Sequence, residues 1–306
     1  LAKPGGIQAV PNGFLLFDLG THRICHFNAN GQQLLCFGHK GKGPGEYLNA
    51  NGIWEFKNKY LVYDRRNKKF ITYGLNGKHI KDIPIKFTES TKMLPFQMDA
   101  ISPSQMIMPS GGKDGSLLKR VNIKTDSTRY FGKTGSVPDV VSNAPAKLLH
   151  ALDFKAFKNR KISFGSNRSG IFVFHDLTAK LEKYSFSGKL LWQKSIKIPA
   201  IRHLFRHIIR KDKGRLNQGK FLLTFSYSEG VSVNKKGVAI LLYVLKKQPV
   251  TVVWVPNDGS KTTVVTFPKL KKSFPLFLNF ALSKDGSVIY FVNIRNGEIY
   301  RAHWPL

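Results

Sequence analysis

An all-β fold built from six copies of one four-stranded unit is predicted by three features of the sequence. Short apolar runs return about every 50 residues along the 306-residue chain. Within each return, turn sequences such as Pro11-Asn12-Gly13 and Lys284-Asp285-Gly286 separate the runs, as between antiparallel neighbours. No helical periodicity interrupts the basic unit. A two-layer sandwich does not call for the same four-strand motif six times, so the pattern reads as a six-bladed β-propeller, one domain over residues 1–306.

The first unit is clearest between Gly13 and Phe37, and Lys59 to Ile83 repeats it about 46 residues later. Phe14 then meets Tyr60, Asp18 meets Asp64, Ile24 meets Phe70 and Gly31 meets Gly77. Gly170 to Trp192 gives another copy, with His175 at the Asp position. Further copies run from Val238 through Val252 to Gly259 and from Val288 through Ile299, and Met106 to Phe131 keeps only the strand pattern. The second strands are expected to start near Phe14, Tyr60, Met106, Ile171, Val238 and Val288. The last unit stops after its third strand, Gly297 to Trp304. An open sheet edge is a liability. A closing strand is therefore expected upstream of Leu1.

Two connections are predicted to carry short helices. Between the third and fourth blades, Ser142 to Phe157 contains Pro145 followed by Leu148, Leu149 and Leu152. Between the fourth and fifth, Ile201, Leu204, Phe205 and Ile208 fall on one helical face, opposite Arg202, His203, Arg206, His207 and Arg210.

Hydrophobic residues make up 42% of the chain, enough for a real core and against intrinsic disorder. No apolar run is long enough to span a membrane as a helix. Two cysteines are too few for a disulfide framework or a cysteine zinc site. Pairing Asn28 with Gly31 across the hairpin places Cys25 and Cys36 diagonally, near the upper limit for a bridge, so two free thiols are expected.

Most motifs that resemble chemistry have a simpler reading. The loop from Gly38 to Gly45 is glycine-rich but lacks the Lys-Ser/Thr ending of a P-loop, and a strand rather than a helix follows. His203 and His207 have chelating spacing, but Leu204 stands where a metalloprotease needs Glu. Ser116-Leu-Leu-Lys119 and Lys133-Thr-Gly135 match β-lactamase fragments on a segment that reads as strands, and no Gly-x-Ser-x-Gly occurs. Asp18 and Asp64 end equivalent strands before turns, where Asp caps backbone N–H groups. The innermost strands offer Glu55, Asp99 and Asn279 as weak calcium candidates; three oxygen donors fall short of the shell Ca²⁺ needs, so no metal, cofactor or catalytic residue is assigned.

The charge balance dominates the functional reading. Lys and Arg total 49 against 18 Asp and Glu, a net charge of +31. In a propeller, second-to-third-strand turns share one face with the blade-to-blade connections. That face collects Arg65, Arg66, Lys68, Arg202, Arg206, Arg210, Lys246, Lys247, Lys271 and Arg295. The opposite face mixes Lys57, Lys59, Arg168, Lys235 and Lys236 with Asp126, Asp258 and Asp285. Such a field attracts an acidic protein partner or larger assembly. A polyanion such as nucleic acid, acidic polysaccharide or an anionic surface is the alternative, and a calcium-dependent hydrolase ranks third.

The loop Gly38-His-Lys-Gly-Lys-Gly-Pro-Gly-Glu-Tyr47, followed by Val62-Tyr63-Asp64 and Asn76-Gly77-Lys78, resembles bacterial NHL-like six-bladed propeller proteins. The Asp18…His22-Arg23-Ile24 segment is similar to the NHL repeat pattern. Many of these proteins are exported or lipid-anchored, notably in Bacteroidetes, and most have no known activity. The resemblance covers residues 7–90 best. It implies an extracytoplasmic propeller with its targeting segment outside this chain, and it transfers no catalytic residue.

Overall fold

The structure, a computed structural model, describes residues 4–85, 98–110, 115–133, 162–176, 178–204, 228–242, 249–268, 277–293 and 297–306. The first sheet contains β1 (Pro4–Val10), β2 (Gly13–Asp18), β3 (Arg23–Phe27) and β4 (Gln33–Phe37). The second contains β5 (Ala50–Phe56), β6 (Lys59–Asp64), β7 (Lys69–Gly74) and β8 (His79–Pro84). The third contains β9 (Asp99–Ser102), β10 (Gln105–Pro109), β11 (Ser116–Asn122) and β12 (Thr128–Lys133). The fourth contains β13 (Ile162–Asn167), β14 (Gly170–His175), β15 (Lys180–Tyr184) and β16 (Leu190–Ser195). The fifth contains β17 (Ser228–Val233), β18 (Gly237–Leu242), β19 (Val250–Pro256) and β20 (Thr263–Phe267). The sixth has three strands among the described residues, β21 (Phe277–Leu282), β22 (Val288–Asn293) and β23 (Ile299–His303).

Every sheet is an antiparallel meander in chain order. Innermost strands β1, β5, β9, β13, β17 and β21 each touch the next, and β21 returns to β1, closing the ring. Each second strand begins within a residue of its predicted start. These strands, such as β14 (GIFVFH) and β18 (GVAILL), are buried throughout. A blade interior is covered on both faces, so alternation gives way to continuous apolar runs, as in any sheet packed on two sides. Outer strands β8 and β16 are largely exposed and carry Lys and His, which blunts their edges.

Apolar clusters form the seams between blades. Phe37 and Tyr60 stack across the first seam, with ring centroids 4.9 Å apart. Between the sixth and first blades, Val288, Tyr290 and Val292 meet Phe14, Leu16 and Cys25. In the second, fourth and fifth blades the tight turn before the fourth strand also reaches the preceding blade. A Cβ on Gly77 would lie 2.8 Å from the Phe37 Cβ, and Gly188 and Gly259 approach Phe131 and Trp192 in the same manner. Gly31 holds this place in the first blade and has nothing within 4 Å. Its predecessor in the ring, the sixth blade, reaches this turn instead through the Tyr290 hydroxyl, which donates to Ala29 O at 3.3 Å.

Cys25 and Cys36 are bridged, contrary to the expectation of free thiols. Gly31 N–H donates to Asn28 O at 3.0 Å, but Asn28 N–H donates to Gln32 O at 2.9 Å, so the ladder leaves the turn one residue later than an Asn28–Gly31 register would set it. Phe27 then faces Gln33, whereas His26 faces Leu35, so Leu34 is an extra residue in the ladder. That bulge moves Cys36 directly opposite Cys25, with the Cα atoms 4.1 Å apart. Between the fourth and fifth blades, residues 199–204 are helical, with Ile201 and Leu204 buried and Arg202 and His203 exposed. The helix expected within 142–157 lies outside the described residues.

Candidate functional site

Two places concentrate uncommitted polar groups, the basic face and the central channel. On the basic face, the connection from β4 to β5 and the turn from β6 to β7 form one clasped unit. Asp64, fully buried at the end of β6, accepts from the backbone N–H of Leu48 (2.9 Å), Asn49 (3.1 Å), Arg66 (3.1 Å) and Asn67 (3.3 Å). Asn67 Nδ2 donates to Gly41 O at 2.9 Å, and Lys69 Nζ donates to Gly43 O at 2.7 Å. Asp18 caps its own turn through Gly20 N–H and the Thr21 hydroxyl, both at 3.0 Å. The capping role expected of both aspartates is what the structure shows.

The glycine loop is held from within. Glu46 accepts from Gly43 N–H at 2.8 Å, and this bond, with His39 alongside, holds its carboxyl below the usual range. A Cβ on Gly41 would fall 1.9 Å from the Glu46 carboxylate, so a side chain there would displace that carboxylate from the loop. Tyr47 donates its hydroxyl to His22 O at 2.8 Å. Asp82 takes Lys69 at 2.6 Å and His79 at 2.9 Å. Burial pushes Asp82 up, and the hydrogen bonds from Lys69, His79 and the Gly45 N–H outweigh it, leaving the carboxyl below its ordinary value.

Local carboxylates are thus consumed internally. Lys40, Lys42, Arg66 and Lys68 remain exposed, and among the described residues no carboxylate pairs with them. Arg65 is half-buried and already engaged. Arg202 stands on the separate connection between the fourth and fifth blades. Arg206, Arg210, Lys246, Lys247, Lys271 and Arg295 lie outside the described residues, as does His207. Among the described residues, no three His, Cys, Asp or Glu side chains gather as a metal site. Ser116 and Lys119 sit on β11, with Lys119 buried and engaged, as expected of a chance motif match.

The inner strands enclose a channel cavity of about 530 Å³, and Glu55, Asp99 and Asn279 all line it. Two of them are committed to joining blades. Trp54 Nε1 donates to Asp99 Oδ1 at 3.1 Å, and the Ser166 hydroxyl donates to Asp99 Oδ2 at 2.6 Å, linking the second, third and fourth blades. Asn279 Nδ2 donates to Gly5 O at 3.0 Å, joining the sixth blade to the first. Burial pushes both the Asp99 and Glu55 carboxyls up, and the Lys284 ammonium acts on both in the opposite direction. Lys284 therefore brings positive charge to the wall that these carboxyls line, which works against a dication. Sequence reasoning missed it because Lys284-Asp285-Gly286 carried only a turn signal.

The DUF5128 family, described as a 6-bladed beta-propeller, matches residues 1–101. The chain is a six-bladed β-propeller. A member of the DUF4221 family from Bacteroides vulgatus shares the propeller fold at a TM-score of 0.58 and 9% identity, over 99% of this chain and 93% of that one. A Bacteroides fragilis protein classed as exported follows at 0.55 and 11%, over 94% and 78%. A virginiamycin B lyase from Staphylococcus aureus matches at 0.48 and 9%, over 96% and 79%, too remote to bear on this propeller's chemistry. No curated protein matches the chain. Among the described residues no helix is long and apolar enough to cross a membrane.

Proposed function

We propose that this propeller is a non-catalytic, extracytoplasmic binding module that docks an acidic protein partner through the face bearing Lys40, Lys42, Arg66 and Lys68. The observation that carries this reading is the asymmetry of pairing on that face. Glu46, Asp64 and Asp82 satisfy N–H groups and internal cations, while these four cations point to solvent without a carboxylate. Such a surface attracts negative charge and accelerates docking more than it strengthens any single contact. The Cys25–Cys36 bridge supports an oxidising compartment. The export assigned to the Bacteroides fragilis neighbour agrees with it. The occupied hydrogen bonds of Asp99 and Asn279, with Lys284 on the same channel wall, favour binding over calcium chemistry.

An acidic protein is preferred to a nucleic acid because the aromatic side chains beneath the cluster, Tyr47 and Phe70, are fully buried and offer no stacking platform. The test compares poly-glutamate, heparin and single-stranded DNA at two ionic strengths. Poly-glutamate is expected to bind, with affinity falling steeply as salt rises. Reversing Arg66 and Lys68 to Glu is expected to weaken it at least about tenfold. The same reversal of Lys235 and Lys236 on the opposite face changes net charge equally and is expected to do little. Equal losses from both pairs would reduce the effect to general basicity, and tighter capture of DNA would favour the polyanion reading.

A further inference from the structure

The channel carries a second, chemically different site. Its wall combines groups of opposite sign that no internal bond uses. Among the described residues, the side chains of Gln8, Asn51, Glu55 and Lys284 line the cavity without a hydrogen bond or ion pair. Asp99 adds a carboxylate fixed in place by Trp54 and Ser166, and Glu229 adds another along the same wall. The backbone is also open here, because a Cβ on Gly6 or Gly230 would meet nothing within 4 Å. The cavity has the size of a small-ligand pocket.

Charge selects the class of ligand. An anion entering the channel meets Glu55, Asp99 and Glu229 across a low-dielectric wall. A cation meets the Lys284 ammonium on the same wall, after crossing the field of a +31 protein. A neutral polyhydroxylated molecule escapes both penalties. Its hydroxyls donate to Glu55 and Asp99 and accept from Lys284, Gln8 and Asn51, because each hydroxyl is donor and acceptor together. Hydrogen bonds to charged partners are the stronger ones, so both signs contribute. We infer that the channel between Glu55, Asp99 and Lys284 is a binding site for a neutral saccharide of about disaccharide size.

The experiment titrates the full chain with maltose, cellobiose and lactose, followed by saturation-transfer NMR and calorimetry. Glucosamine serves as the cationic comparison and glucuronate as the anionic one. At least one neutral disaccharide is expected to saturate, with an affinity indifferent to ionic strength. Glu55→Gln and Lys284→Met are each expected to weaken it about tenfold or more, since one charge-assisted bond is lost. Gly6→Leu keeps every charge and fills the channel from its wall, so it is expected to abolish binding. Unfolding midpoints confirm that the variants are folded. Arg66→Glu/Lys68→Glu is expected to leave saccharide binding unchanged, which separates this site from the basic face. The inference is overturned if none of the three disaccharides saturates, if only glucosamine or glucuronate binds, or if binding survives in the folded Gly6→Leu variant.

Discussion

Opening the Cys25–Cys36 bridge is expected to cost this propeller about 3 kcal/mol. The bridge closes a loop with a sequence separation of 11. In the chain-entropy description, releasing a loop of that length returns roughly 9–10 cal/mol/K to the unfolded chain, a little under 3 kcal/mol at room temperature. The folded state keeps the β3–β4 ladder either way, since the residues stay paired through backbone bonds. Strong reductant should therefore act through the unfolded ensemble and lower the urea midpoint without changing the far-ultraviolet spectrum. The assay is urea unfolding with and without reductant, alongside thiol titration, in the native chain and in a Cys25→Ala/Cys36→Ala variant. The double variant is expected to match the reduced chain, apart from the packing lost at buried Cys25, and to ignore reductant. An unchanged midpoint in a chain shown to carry two free thiols would refute the reasoning. It would mean that the hairpin stays closed in the unfolded state, or that the first blade melts apart from the transition being followed.

Asp64→Ala is expected to destabilise by at least about 2 kcal/mol, because buried N–H groups at the second blade's entrance and turn lose one shared acceptor. Denaturant unfolding reads this, and Asp64→Asn should recover part of it. Glu182 sits buried between His175 at 2.7 Å and Lys180 at 2.6 Å. Burial pushes its carboxyl up, but the hydrogen bonds from His175, Lys180 and the Tyr184 hydroxyl win and hold it at about 2. Its folded value lies below the ordinary 4.5, so its stabilisation is full above pH 4.5 and is lost as pH falls towards 2. Glu182→Gln should lower stability near neutrality by about 3 kcal/mol and flatten that acid limb, measured as unfolding midpoint against pH. Gly77→Ala and Gly31→Ala both impose a side chain on a left-handed backbone, at about 1 kcal/mol each. Only the first also meets Phe37, so thermal unfolding should find Gly77→Ala the more damaging.

What the sequence made legible follows from repetition. Second strands return with turn signals between them, so an error in one blade is corrected by the others, and their starts were placed within a residue. Asp18 and Asp64 were readable as caps for the same reason. The Cys25–Cys36 pairing was not, because the ladder leaves the turn one residue late, at Gln32, and the bulge at Leu34 shifts it by one more, and neither leaves a trace in an alternation already weak on an outer strand. Glu55, Asp99 and Asn279 were correctly placed on inner strands. Their partners Trp54, Ser166 and Gly5 come from neighbouring blades, and contacts between blades leave no spacing in the chain. Arg65 and Arg66 look equivalent in sequence, yet the turn at Asp64 leaves Arg66 exposed and Arg65 half-buried and engaged.

The close fit at Gly77, Gly188 and Gly259 bears on how the blades stay in place against one another. At three seams an aromatic side chain of one blade's fourth strand, Phe37, Phe131 or Trp192, lies against the turn glycine of the next. A blade sliding along its neighbour would drive a ring into that turn, so these contacts act as mechanical stops as well as apolar glue. The seam between the sixth blade and the first is held by other means. Val288, Tyr290 and Val292 pack on Phe14, Leu16 and Cys25, and the Tyr290 hydroxyl donates to Ala29 O at 3.3 Å. The Cys25–Cys36 bridge lies on that flank, so the wall that Tyr290 rests against is covalently pinned.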